Sequence, residues 1–231
     1  MKDDAIVTQG LTKRFGSFSA VSDVNLHVRK GDVYALVGPN GAGKTTLVKM
    51  LVGLLAPTGG YASLFGHNVM TQPVSAKELF GYVSDDPTAY EYLSGREFLT
   101  LTGRLRGMTE RVLTERIGKL TSLFPIEDIL SRPMSEYSRG NRQKTAFLAS
   151  IMTTPPVLII DEPIVGLDPA SIAILGGKLV AYAHAGGTVF FVTHIMDFAE
   201  RFARTVGIMK AGKIVREVEV TQTLRLEELV R

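Results

Sequence analysis

The chain has 231 residues, 45% hydrophobic and 21% charged, with a formal net charge of +3 and no cysteine. That balance belongs to an ordinary globular chain, and it excludes a disulfide framework or a cysteine-based metal site. The charge excess is too small to argue for a nucleic-acid groove, and no nucleic-acid partner is expected.

No apolar run, Leu47–Ala56 and Val157–Ile160 included, approaches the roughly 18–20 residues that cross a bilayer. The amino terminus, Met1-Lys2-Asp3-Asp4, is polar and lacks the apolar core of a leader peptide. Ala5–Leu11 and Val24–Val28 read as antiparallel strands joined through Lys13-Arg14-Phe15-Gly16. Val33–Val37 is a short continuous apolar run, the pattern of a strand covered on both faces. It leads directly into Gly38-Pro39-Asn40-Gly41-Ala42-Gly43-Lys44-Thr45, with Thr46 following and a helix predicted over Thr45–Leu55. Strand, glycine turn and helix in that order are the context a P-loop requires. Its glycines let backbone N–H groups close around phosphate oxygens, and the helix N-terminus adds partial positive charge. Lys44 is placed for the β- and γ-phosphates and the Thr45 hydroxyl for Mg²⁺. The plainer alternative is a glycine turn that only ends a strand.

From about Pro87 to Tyr137 the pattern changes. Gly95–Arg106 and Glu110–Phe124 read as helices with no strand between them, and a further helix follows over Ser138–Met152. These segments predict a helical subdomain at roughly residues 87–150, inserted in one domain that spans 1–231. Ser138, opening Ser138-Arg139-Gly140-Asn141, is a good N-cap. Val157–Ile160 is a second buried strand and ends in Asp161-Glu162. A carboxylate at a strand end beside a P-loop can bind Mg²⁺, and the next residue, Glu162, can orient and deprotonate a water. Asp168-Pro169 then reads as the N-cap and first position of a helix over Pro169–His184. Thr188–Val192 is a third apolar strand, followed by Thr193 and His194. The order predicts an α/β fold: a P-loop core with a mostly parallel sheet, an N-terminal antiparallel subdomain and the helical insertion.

With Ser138 and Gly140 lying about twenty residues before Asp161, the chain resembles the nucleotide-binding subunit of an ATP-binding-cassette transporter from about Ile6 to Glu217. The resemblance implies a fold-defining set of roles. Phe15 would stack on adenine, whereas read alone it is a core phenylalanine. Ser138, Arg139, Gly140 and Asn141 would face the ATP of an opposing subunit, with Arg139 and Asn141 replacing the usual Gly and Gln. Asp168 would cross the dimer interface and His194 would contact the γ-phosphate. His27, His67 and His184 match no family element and read as structural. Asp85 stands where the family places a glutamine that touches Mg²⁺ and water, so a negative charge is added near the γ-phosphate, and Asp85 joins Thr45 and Asp161 as a metal candidate.

The segment Tyr90–Phe98 is similar to that of ATPases serving bacterial ABC-2 exporters. The resemblance thus implies ATP and Mg²⁺ as cofactors and a homodimer or heterodimer of ATPase subunits. It also implies a transmembrane permease on a separate chain and a place at the cytoplasmic face of the membrane, the chain being soluble when alone. Tyr90, Tyr92 and the helix Gly95–Arg106 are the expected docking face. No Asn-Lys-x-Asp motif supports a GTPase, and a small-molecule kinase has no need of Ser138 or His194. A long coiled coil or a second cassette, as in other relatives of this class, is absent from the sequence. A non-hydrolysing regulatory subunit stays open because of Asp85, Arg139 and Asn141.

Overall fold

Strand β1 (Asp4–Phe15) returns through Gly16-Ser17 into β2 (Phe18–Arg29), giving an antiparallel hairpin of two twelve-residue strands in which Phe15 faces Phe18. The computed structural model describes residues 4–86, 90–221 and 225–230. Both strands run further than apolar alternation indicates, because Lys13 and Arg14 continue the ladder on the exposed end. The strands β4 (Gly59–Leu64) and β5 (His67–Asn68) complete a four-stranded antiparallel sheet ordered β2-β1-β4-β5.

The second sheet has six strands. It comprises β3 (Val33–Val37), β6 (Phe80–Val83), β7 (Val157–Asp161), β8 (Thr188–Thr193), β9 (Thr205–Lys210) and β10 (Lys213–Glu219), ordered β10-β9-β3-β8-β7-β6. All pairings are parallel except that of β10 with β9. β3, β7 and β8 are buried at every residue, as their unbroken apolar runs require. Alternate side chains enter different cores. Tyr34, Leu36, Phe190 and Val192 pack with α1 (Lys44–Leu51) and the antiparallel sheet. Ala35, Val37, Val189 and Phe191 pack beneath α6 (Pro169–His184), α7 (Met196–Phe202) and the helical insertion.

That insertion contains α3 (Gly95–Leu105), α4 (Glu110–Thr121) and α5 (Arg139–Ser150). Its expected start at Pro87 lies outside the described residues. Ser94 and Glu97 form a reciprocal capping box that starts α3. Arg116 of α4 donates to the Ile151 and Met152 carbonyls after α5, and Arg106 donates to the Lys77 and Phe80 carbonyls at the edge of the parallel sheet. These guanidinium bonds fasten the helices to the α/β core. α1 ends at Leu51, four residues before the sequence-predicted end, where Gly53 takes a φ of 71°. The short helices α2 (Pro73–Glu78) and α8 (Leu226–Val230) complete the described α-helices, and 3-10 turns lie at Glu127–Ile129 and Met134–Glu136. No helix among the described residues is long and apolar enough to cross a membrane.

Candidate functional site

The P-loop leaves β3 at its carboxyl end, and the same end of the sheet carries Asp161 at the end of β7 with Glu162 after it, His194 after β8 and Asp85 after β6. Open parallel sheets bind ligands along that edge. Here the four loops surround a cleft of about 510 Å³, within the roughly 300–1,000 Å³ common for small-molecule sites. Asn40, Gly41, Gly43, Lys44, Thr45, Thr46, Asp85, Arg139, Glu162 and His194 line it, all named from sequence, together with Phe18, Ala20 and Val165.

The loop's shape demands its glycines. A Cβ on Gly38 would overlap the Met209 carbonyl, and one on Gly43, whose φ is 105°, would overlap that of Ala20. Pro39 and Ala42 complete the turn, with Ala42 N–H donating to the Pro39 carbonyl at 3.2 Å. Lys44 is almost fully buried, and its Nζ donates to the Gly38 carbonyl at 2.8 Å and the Pro39 carbonyl at 3.1 Å. Burial lowers its pKa, against the opposing fields of Glu162 and Asp161.

Asp161 has no exposed surface. Its Oδ1 accepts from Thr45 Oγ1 at 3.3 Å, while Oδ2 is buried and has no hydrogen-bond partner among the described residues. Burial pushes its pKa up to about 6; the Thr45 bond opposes the rise, the Asp85 and Glu162 charges add to it, and Lys44 again opposes it. A buried carboxylate oxygen without a donor, beside a hydroxyl and under the field of two more carboxylates, is a place for a hard cation. No group of three or more His, Cys, Asp or Glu forms a protein-only metal cage among the described residues. A site with one carboxylate and one hydroxyl suits Mg²⁺, which keeps waters and takes phosphate oxygens. Asp85, the third metal candidate, lines the cleft, and its Oδ1 accepts from Ser84 Oγ at 3.1 Å.

Glu162 adopts a φ of 50°, a conformation costly for any residue but glycine, and its side chain is 15% exposed. Its Oε1 lies 3.0 Å from His194 Nδ1, and its Oε2 accepts from Thr193 Oγ1 at 3.0 Å. Two catalytic candidates that follow different strands, 32 residues apart in sequence, are thus in direct contact.

Ser138 caps α5, accepting from Asn141 N–H at 3.2 Å. Gly140 is required by packing, since a Cβ there would overlap the Gly166 carbonyl. Arg139 reaches back into the cleft of its own chain and donates from Nη2 to the Asp85 main-chain carbonyl at 3.3 Å. Asp168 caps α6 by accepting from Ser171 N–H at 2.9 Å and Ser171 Oγ at 2.6 Å, and it pairs with Lys144 Nζ at 3.3 Å. Those bonds from Ser171, then Lys144, hold its carboxyl well below the usual range. Ser138, Gly140, Asn141 and Asp168 lie outside the cleft lining.

Phe15 is half exposed, which excludes the core reading, and Lys13 Nζ lies 5.2 Å from its ring centroid. It stands at the hairpin tip and does not line the cleft; Phe18, opposite it in register, does. Sequence reading missed Phe18. The available signal was its place three residues after Phe15, on the return strand of the same tip. His27, His67 and His184 are absent from the lining.

Fold and site together define a P-loop nucleotide hydrolase of the cassette type. The family model described as ABC transporter matches residues 21–165, and the chain belongs to the ABC transporter family as one of its ATP-binding, ATP-hydrolysing cassettes. It is 36% identical over 94% of its length to the bacitracin transport ATP-binding protein BcrA of Enterococcus faecalis, covering 70% of that protein. It is 37% identical over 92% of its length to the daunorubicin/doxorubicin resistance ATP-binding protein DrrA of Streptomyces peucetius, and spans 64% of it. A solved ATP-binding subunit of an ABC transporter superposes with a TM-score of 0.90 at 29% identity, over 97% of both chains. A dimeric bacterial ABC transporter cassette shares the fold at a TM-score of 0.83 and 22% identity, over 94% of this chain and 99% of that one.

Proposed function

We propose that the chain binds MgATP in this cleft and hydrolyses it with Glu162 as general base, driving export through a separate permease. The observation that carries the reading is Asp161: its buried, unpartnered Oδ2 sits beside Thr45 at the mouth of the P-loop, with Glu162 next in the chain. Asp161 and Thr45 would hold Mg²⁺, with Asp85 adding its charge from the rim. When bound, Mg²⁺ neutralises charge on the phosphate oxygens. Lys44 would move from its own loop carbonyls to the phosphates. Glu162 would take a proton from the attacking water at Oε1 or Oε2, and His194 would hold the carboxylate and reach the γ-phosphate.

Phe15, with Phe18 beside it, supplies ring surface for the base. Ser138, Gly140 and Asn141 at the start of α5 would cap the nucleotide held by an opposing subunit, identical or related, and Asp168 would cross that interface. Dimer closure on ATP would move α3 to α5 and so the permease. Tyr92, 98% exposed just before α3, and Tyr90 are the proposed docking residues. The chain would then sit at the cytoplasmic face of the membrane through its permease and be soluble alone. The names of the relatives, bacitracin transport and daunorubicin/doxorubicin resistance, support an exporter of the ABC-2 type.

The test is Glu162→Gln. It removes the base and keeps the shape, so ATP binding should persist while hydrolysis falls about 10²–10⁴-fold, with an ATP-bound dimer accumulating in light scattering. Hydrolysis near the wild-type rate would sink the assignment.

A further inference from the structure

Glu162 is engaged at every polar group it owns. Besides the two carboxylate contacts, its N–H donates to the Val192 carbonyl at 2.9 Å, and its carbonyl accepts from Gln143 Nε2 at 3.3 Å. The family's catalytic elements account for His194 but not for the hydroxyl on the other carboxylate oxygen. We propose that Thr193 is a positioning residue for ATP hydrolysis, its hydroxyl fixing the plane of the Glu162 carboxylate against His194.

The last torsion of a glutamate is broad and nearly two-fold. One contact from His194 at Oε1 therefore leaves the carboxylate plane free to turn, and a second donor at Oε2 removes that freedom. Thr193 is suited to the task in three ways. It has no exposed surface, so water does not compete for its hydroxyl. It is β-branched within β8 and so stiff at χ1. Its Oγ1 already accepts from Ile195 N–H at 3.1 Å, and its single proton is left for Glu162. The same β8–β7 ladder that pairs Val192 with Asp161 sets the spacing between Thr193 and Glu162.

The inference rests on Glu162 as general base, and the experiment separates the two claims. Thr193→Val and Thr193→Ser are compared in the full chain by steady-state ATPase, ATP affinity and melting. Valine keeps the volume and loses the hydroxyl; serine keeps the hydroxyl. Thr193→Val should lower kcat about 10- to 100-fold, the size of a misplaced catalytic group. It should leave KM and ATP affinity within about twofold, and Thr193→Ser should restore most of the rate. Should valine melt early, Thr193→Ala carries the same comparison.

On a Glu162→Ala background, single-turnover hydrolysis should fall less than about twofold on adding Thr193→Val, because the two residues act as one unit. Wild-type turnover by Thr193→Val, or an equal fall in both backgrounds, overturns the proposal; the latter would assign Thr193 to supporting Ile195. If Glu162→Ala abolishes hydrolysis while Thr193→Val turns over at the wild-type rate, only Thr193 is lost. If Glu162→Ala hydrolyses normally, the base assignment falls and Thr193 falls with it.

Discussion

The Arg139 guanidinium donates to the Asp85 main-chain carbonyl at 3.3 Å, joining the first turn of α5 to the loop after β6 within one chain. Arg139 also adds positive charge at a helix start that has no acidic residue, where the helix dipole is already positive. Both features place a cation at the rim of the proposed phosphate site, where Asp85 adds a carboxylate in place of the glutamine that the family resemblance implies. At about 6 Å and an effective dielectric near 20, a pair of like unit charges costs on the order of 3 kcal/mol before counter-charges respond. Asp85→Gln should therefore tighten ATP binding and ease its demand for Mg²⁺, while Arg139→Gly should weaken ATP-driven dimerisation. The double change should cost less than Arg139→Gly alone. A double-mutant cycle on ATP affinity at fixed Mg²⁺ and salt checks this; additivity within about 0.5 kcal/mol rejects it.

Phe15 and Phe18 face each other across the hairpin tip, and only Phe18 lines the cleft. Ring faces discriminate poorly between bases, so ATP and GTP should bind with similar affinity. Phe15→Ala should cost roughly 1–3 kcal/mol of ATP binding if its ring is the platform. Phe18→Ala, measured beside it by equilibrium titration, reports whether the neighbour shares or replaces that role. Two variants that bind like the wild type would place the base elsewhere.

The raised pKa of Asp161 gives a pH dependence of definite sign. Its folded value, about 6, exceeds the reference value of 3.8, so between them the folded chain binds more protons than the unfolded one. Stability in the nucleotide-free state should then decline as pH rises from 4 to 6. Asp161→Asn should remove that component, raising Tm at pH 7 while abolishing Mg²⁺-dependent ATP binding. In the wild type, MgATP binding should weaken below about pH 6 as Asp161 takes up its proton. Melting curves of both proteins across pH 4–7 test the first part, and titrations with MgATP the second. Parallel Tm profiles would contradict it.

Gly140 and Gly118 form a matched pair for a packing test. Both are helical, but a Cβ on Gly140 would overlap the Gly166 carbonyl, whereas one on Gly118 in α4 would meet nothing within 4 Å. Gly118→Ala should stabilise by roughly 0.5–1 kcal/mol through helix propensity alone. Gly140→Ala should destabilise by about 1–3 kcal/mol despite the same propensity gain, and should slow hydrolysis by shifting the loop that leads to Asp168. Chemical denaturation and ATPase rates on the two variants give the comparison.

The parts of the fold that sequence reveals are those where one local rule dominates. Asp168-Pro169 marks the start of α6, and β3, β7 and β8 are unbroken apolar runs. Elements set by tertiary contact were less visible. β6 has four residues and a glycine, Gly81, whose missing side chain admits the Ser150 carbonyl; β9 contains Gly207, which admits the Tyr34 hydroxyl. β10 alternates with charges on an exposed edge and finds its place by pairing with β9. Within the site, the motifs located Lys44, Asp161, Glu162 and His194. The clasp of Thr193 on Glu162 and the entry of Phe18 depend on register between segments far apart in sequence.

Asp161 is the last residue of a strand paired on both sides, to β6 and to β8. To move it by one residue would break both ladders and turn its side chain to the opposite face of the sheet. The opposite rim is held by side-chain bonds and packing instead of a ladder: Arg139 arrives on α5 and meets Asp85 through one bond, while Gln143 of the same helix donates to the Glu162 carbonyl. One jaw of the cleft is thus set by two strand ladders and the other by side-chain bonds and helix packing. Any displacement on nucleotide binding is therefore expected on the helical side, where single side-chain bonds and not two ladders must give.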